Sequence, residues 1–242
     1  MCFDISSTKI KQLVKKNQTA IFYKDFDYQP FYHASGFTYP TLSLVKTNEP
    51  RIIYPSTWGF IPEWGQGNIS GFRKKYNTLN AKGETLLSSK MFSESAKDQR
   101  CIIIADGFFE PHLSYGNKIP YYCYIPSDEY DDGRDLFAFA GVYSETDNHN
   151  STCSIITTEA NDFFSEINNV KKRMPLILQE SLLKDWLDSN ISEKQITEIL
   201  KEGFTKKDFK AHSVNKNLYQ RKNYINKETI LNEINYKTLF DI

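Results

Sequence analysis

The sequence predicts an α+β fold built around one hydrophobic core. Its middle is a succession of short β-branched and aromatic runs: Arg100 to Asp106, Tyr121 to Ile125, Leu136 to Tyr143 and Cys153 to Thr157. Turn-forming Asp-Asp-Gly and Asp-Asn-His-Asn segments separate the later ones. The carboxy-terminal third changes to a helical period, and a chain of 242 residues lies near the upper limit of what one core serves. Residues 1–242 are therefore expected to form a single compact domain, the last roughly 25 of them a peripheral helical tail.

Taken in order, Ser7 and Thr8 are cap candidates for a short amphipathic helix marked by Ile10, Leu13 and Val14. From Gln18 to Asn77 frequent aromatics, prolines and short extended runs such as Arg51 to Tyr54 indicate strands joined by loops. A polar helix from about Met91 to Lys97 leads into the strand that ends at Gly107. The three runs that follow predict successive antiparallel strands. Leu182, Leu183, Trp186 and Leu187, then Ile196, Ile199 and Leu200 closed by Gly203, read as helices. A strand near Phe209 to Val214 and a short helix near Glu228 to Ile234 complete the pattern.

Composition excludes several classes. The longest apolar stretches fall far short of the roughly 20 residues that span a bilayer, and no secretory signal pattern opens the chain, so a cytoplasmic protein with no membrane partner is expected. The 30 basic and 30 acidic residues balance, so any nucleic-acid contact must come from a local patch. Candidate patches are Arg73-Lys74-Lys75, Lys171-Lys172-Arg173, Lys206-Lys207 and Arg221-Lys222. The four cysteines include no CxxC pair, which speaks against a disulfide framework and a zinc cluster, and no metal or cofactor is called for. Cys101, Cys123 and Cys153 sit in apolar runs and read as core thiols.

Cys2 is different. A small second residue normally permits removal of the initiator methionine, which leaves a free α-amine and a thiol on one residue. An aldehyde condenses with the amine to an imine, and the thiol then closes a five-membered thiazolidine, helped by the fixed proximity of the two groups. The α-amine has a reference pKa of about 7.7 to 8.0, so a useful neutral fraction exists at physiological pH.

Several further segments stand in a telling order. They are Met1-Cys2; Trp58-Gly59-Phe60-Ile61-Pro62 with Trp64; Asn80-Ala81-Lys82-Gly83-Glu84-Thr85; and Arg100-Cys101 running to Ala105-Asp106-Gly107-Phe108-Phe109-Glu110. Then come Pro120-Tyr121-Tyr122, Phe139-Ala140-Gly141-Val142-Tyr143, Thr157-Thr158 with Ala160, and Arg173-Met174-Pro175-Leu176-Ile177-Leu178. This ordered set resembles the SRAP family, the SOS-response-associated peptidases or abasic-site-processing proteins.

The resemblance implies a compact α+β domain around a distorted, barrel-like antiparallel sheet. It implies a protein that binds single-stranded DNA and traps the ring-opened abasic sugar through an amino-terminal cysteine, as a crosslinking or lyase-type enzyme with a family-associated peptidase activity. On it, Cys2 is the nucleophile, Glu110 handles protons, and Asn80 positions the cysteine backbone and the sugar. Glu110 also stands out unaided, since a carboxylate directly after a buried Gly-Phe-Phe run is desolvated toward a general acid-base range. Lys82 replaces the family's usual arginine and would meet a phosphate as a point charge. With Arg73, Lys74, Lys75 and Arg173 it makes up the expected phosphate-tracking side, and Trp58 and Trp64 are candidates for stacking on bases. A monomer is expected.

Two departures stand out. The family's Glu-Trp is Glu110-Pro111 here, and the family's histidine shortly before Arg-Met-Pro is missing. Its place falls to Asn168 if a short insertion is allowed, or to Lys171 at fixed spacing, while His112 could substitute in space. The competing readings are a thiol-dependent autopeptidase and a single-strand DNA-binding module with weakened chemistry.

Overall fold

Two β-sheets take up the apolar runs in a computed structural model that describes residues 2–17, 20–24, 26–146, 150–219 and 226–236. The Arg221-Lys222 pair and residues 147–149 of the Asp-Asn-His-Asn turn lie outside the described residues. The first half of the chain forms β1 (Asp4–Ser7), α1 (Ile10–Asn17), β2 (Ile21–Phe22), β3 (Phe31–Ser35), β4 (Thr41–Lys46), β5 (Ile52–Trp58), α2 (Ile69–Lys75), β6 (Asn80–Lys82), α3 (Ser93–Asp98) and β7 (Arg100–Ala105). The second half forms β8 (Gly107–Ser114), β9 (Asn117–Tyr124), β10 (Phe137–Glu145), β11 (Ser151–Glu159), α4 (Asp162–Ile167), β12 (Arg173–Pro175), α5 (Leu183–Trp186), α6 (Glu193–Glu202) and β13 (Lys210–Ser213).

One sheet has five strands in the order β13-β9-β8-β1-β3. The other runs β12-β11-β10-β7-β4-β5-β2 and bends into a ring, because β11 also pairs with β5. That closure is parallel (Thr152↔Thr57, Cys153↔Trp58), as are the β2–β5 and β6–β11 pairs. The sheet is therefore mixed, where an antiparallel one was expected. A tight hairpin forces antiparallel pairing, whereas these three pairs join segments separated by long crossovers, which leave the direction open.

The predicted succession of three antiparallel strands holds for its last two members. β10 and β11 pair from Gly141↔Ile155 to Glu145↔Ser151. The Tyr121 run instead lies in the five-stranded sheet, between β8 and β13. Its partner β8 hides in the sequence because Pro111 interrupts it. Pro111 lies past the last β1 rung, at Phe109, so its missing N–H takes no bond from β1. Tyr115 (φ 47°) and Gly116 (φ 78°) form the two-residue turn between β8 and β9, both in the left-handed region that such hairpins use.

Along β7 the side chains alternate between two apolar layers. Cys101, Ile103 and Ala105 join a cluster with Cys2, Ile5, Phe108 and Phe139, while Ile102 and Ile104 join Ile10, Trp186 and Ile199 beneath the helices. A strand covered on both faces reads as one continuous apolar run.

β1 carries the polar sequence Asp-Ile-Ser-Ser yet is buried at all four positions. Asp106 accounts for this. It accepts hydrogen bonds from Ser6 Oγ at 2.5 Å and from the Thr8 backbone N–H at 2.7 Å, and also from the Thr8 hydroxyl. Ser6 Oγ lies 3.0 Å from the Tyr122 hydroxyl. Gly107 lets that ring in, since a Cβ there would fall 2.2 Å from the Tyr122 hydroxyl. These bonds take the Thr8 hydroxyl, and Ser7 Oγ turns to the Ile104 carbonyl, so neither side chain is seen capping α1.

Candidate active site

The position of β1 between β8 and β3 brings Cys2 to the junction of the sheets. Cys2 is fully buried, and its carbonyl accepts a 2.8 Å hydrogen bond from Asn80 Nδ2. Its thiol donates to the Asp4 carbonyl at 3.8 Å. Burial holds the thiol pKa well above its ordinary value, and the charge of Glu110 raises it further. Asn80 opens β6 opposite Ile155 of β11, and its Oδ1 is buried with no hydrogen-bond partner among the described residues. The amide is thus anchored by its donor and keeps an acceptor available.

Glu110 of β8 is fully buried, opposite Tyr121 of β9. Burial pushes its carboxyl pKa up to about 7 against the opposing pull of the amino terminus, while the charge of Asp4 raises it and a hydrogen bond from Asn168 lowers it by less. A carboxyl of that acidity can give and take a proton near neutrality.

Asn168 follows α4, is 1% exposed, and donates through Nδ2 to Glu110 Oε2 at 2.7 Å and to the Arg173 carbonyl at 3.2 Å. Its Oδ1 accepts from the Lys171 backbone at 3.3 Å. Of the three candidates for the histidine's place, Asn168 therefore stands against Glu110, while the Lys171 side chain is exposed. His112 Nδ1 instead donates to the carbonyls of Glu166 and Ile167, both at 3.1 Å, and pins the end of α4. Asn169 completes the fastening, accepting from Leu113 N and donating to Leu113 O, both at 2.9 Å.

The expected DNA-facing residues separate. Trp58 is a correction: it is fully buried and donates Nε1 to the Leu79 carbonyl at 2.8 Å, so it packs the core and cannot stack on a base. Trp64 is 60% exposed, with its ring edges against Phe72 and Tyr76. The Arg73 guanidinium lies 3.9 Å over the Tyr39 ring, and Lys74, Lys75 and Lys82 are exposed. Arg173 forks onto Glu84 at 2.7 and 2.9 Å and also donates to the Thr157 carbonyl at 2.7 Å, so its guanidinium is already engaged within the protein.

Sequence reasoning passed over two residues beside this centre. His33 of β3 is 3% exposed and donates Nε2 to Asp4 Oδ1 at 2.9 Å, with its ring edge on Phe109. Asp4 was detectable: in a strand that starts this close to Cys2, the period of two puts residues 2 and 4 on one face. A cleft of about 790 Å³ opens here, bordered by Phe3, Asp4, His33, Phe109, Asn168 and Tyr219. Among the described residues no group of three or more His, Cys, Asp or Glu side chains is placed to hold a metal ion.

Comparison with known proteins identifies the family. The abasic site processing protein YoaM of Bacillus subtilis is 30% identical over 207 residues, covering 84% of this chain and 85% of its own. The abasic site processing protein HMCES of Xenopus tropicalis is 28% identical over 183 residues, covering 66% and 54%. A crystal structure of a protein from Bacteroides thetaiotaomicron superposes with a TM-score of 0.79 at 28% identity, over 96% of this chain and all of that one. The sequence profile of the SOS response associated peptidase (SRAP) family matches residues 1–220, and the chain belongs to that family.

Proposed function

We propose that the protein processes abasic sites in DNA by capturing them covalently in single strands through Cys2, once Met1 has been removed. The observation that carries this reading is the pairing of two clamps. Asn80 holds the Cys2 carbonyl, and Asn168 holds a buried Glu110 whose pKa of about 7 suits proton transfer at an imine. The names of the relatives, abasic site processing proteins, agree with it.

In this reading the α-amine of Cys2 adds to the aldehyde carbon of the opened sugar. Glu110 protonates the departing oxygen, water leaves, and an imine forms. The Cys2 sulfur then bonds to the imine carbon while the thiol proton passes by way of Glu110 to the nitrogen. One aldehyde and one aminothiol become a thiazolidine and one water. Asn80 Oδ1, an acceptor without a partner among the described residues, suits a hydroxyl of the sugar or the new amine. Lys74, Lys75, Lys82 and Arg73 would follow the phosphates, with Trp64 as the stacking surface.

The test is a denaturing gel of the processed protein incubated with single-stranded DNA carrying one abasic site, paired with an intact-mass measurement that reports whether Met1 is gone. A heat-stable shifted band is expected, weaker with intact duplex and lost in Cys2→Ala without loss of salt-sensitive DNA binding. A Cys2→Ala protein that still crosslinks without reductant sinks the mechanism.

A further inference from the structure

Tyr219 closes a single 3-10 turn, Lys216–Tyr219, that follows β13. It packs against the cluster of Phe109, Tyr122, Val214 and Leu218 and borders the cleft that Asp4, His33 and Asn168 also line. Its hydroxyl is buried and has no hydrogen-bond partner among the described residues. A buried phenol nearly always finds a partner, and one left without is a cost to folding that asks for a reason. Burial holds its pKa well above the ordinary value, with the charges of Asp4 and Glu110 acting in the same direction, so the phenol keeps its proton.

We propose that Tyr219 is a further catalytic residue, whose hydroxyl donates a hydrogen bond to the ring oxygen of the abasic deoxyribose as the sugar opens to its aldehyde. The inference rests on the function proposed above. In the step, the anomeric hydroxyl gives its proton to the Glu110 carboxylate and the bond between the anomeric carbon and the ring oxygen breaks. The ring oxygen then takes a proton from Glu110. Tyr219 keeps its own proton throughout and meets the negative charge that develops on that oxygen. A phenol held in its neutral form is suited to this and unsuited to act as a base. The Asn168 amide is spent on Glu110 and the Arg173 carbonyl, whereas the Tyr219 hydroxyl borders the same cleft with no partner among the described residues.

Tyr219→Phe tests this with the full chain, since it keeps the ring and removes only the oxygen. Capture of single-stranded abasic DNA should slow by about 100-fold. The melting temperature should hold or rise, because among the described residues no hydrogen bond is lost and an unmet polar atom is removed. A second substrate, single-stranded DNA bearing an open-chain aliphatic aldehyde, has no ring to open and should be captured equally fast by both proteins. Equal rates on the abasic substrate, equal slowing on both substrates, or a fall in melting temperature would each overturn the role of Tyr219. If the unsubstituted protein captures neither aldehyde, the proposed function itself falls and the role of Tyr219 falls with it. Capture by the unsubstituted protein with no effect of Tyr219→Phe removes Tyr219 alone.

Discussion

Asn168 donates to Glu110 at 2.7 Å, with both side chains buried. An amide in that position orients the carboxyl but does not titrate, whereas an imidazole has a reference pKa of about 6.5. Asn168→His is expected to speed both formation and release of the crosslink by a factor of about 10². His112→Ala should slow formation by loosening the end of α4 without shifting the pH profile, because His112 holds the backbone of Glu166 and Ile167. Time courses at several pH values distinguish the two. If only His112→Ala alters the pH profile, the proton shuttle has moved to His112.

Glu110 also sets a pH dependence of stability. Its native pKa of about 7 lies above the ordinary 4.5, so between those values the folded chain binds the proton more tightly than the unfolded chain does. The contribution is fully present below pH 4.5 and is lost as pH rises through 7. Its size is on the order of 3 kcal/mol. Urea unfolding at pH 5 and pH 8 should show the decline, and Glu110→Gln should flatten it. An unchanged pH slope in Glu110→Gln would place the titration elsewhere.

The fork between Arg173 and Glu84 predicts a division of labour. Burial alone would raise the Glu84 pKa, but the hydrogen bonds and charge of Arg173 bring it below the ordinary value. Its stabilising share is therefore lost as pH falls. Arg173→Ala should cost about 1 to 2 kcal/mol of stability. Lys82→Ala should leave stability unchanged and reduce the salt slope of single-strand binding by about 0.7, the loss of one phosphate contact. A salt slope that drops in Arg173→Ala and holds in Lys82→Ala would reverse the two assignments.

Among the described residues Asp106 makes no hydrogen bond to Cys2 or Glu110, yet it fastens β1 through Ser6 and Thr8. Asp106→Ala should destabilise by about 3 kcal/mol, since bonds to a buried charge are lost. Crosslink formation at a temperature where the variant is still folded should also slow, through looser placement of Cys2. Unfolding midpoints together with gel rates measure both effects. A variant as stable as the parent would mean that Ser6 and Thr8 hold β1 without it.

Much of this architecture could be read from residue patterns, for reasons that differ by element. β7, β10 and β11 are covered on both faces and stand out as apolar runs, and α6 is framed by a capping box at Ser192 and Gln195 and by Gly203. Motif order singles out Cys2, Asn80 and Glu110 but leaves the histidine's place open among Asn168, Lys171 and His112, and it is the hydrogen bond at Glu110 that distinguishes Asn168. β1 was illegible because its polar side chains are satisfied by Asp106, about a hundred residues away along the chain, and no local pattern encodes such a partner. Trp58 and Trp64 look alike in sequence, and the first is buried because it ends β5 inside the core, on the rung with Cys153 and bonded to the Leu79 carbonyl. Tyr219 escaped notice because what marks it, a buried hydroxyl with no hydrogen-bond partner among the described residues, has no local sequence signal.

The place of β1, hydrogen-bonded to β8 on one edge and β3 on the other, has a mechanical consequence. A DNA strand joined to Cys2 would hang from an interior strand of the sheet, not from a loose tail. Tension along that strand, from a motor translocating on the DNA, would load both ladders in shear, so that many backbone bonds share the force before any yields. The tether would then hold until the sheet itself is pulled apart.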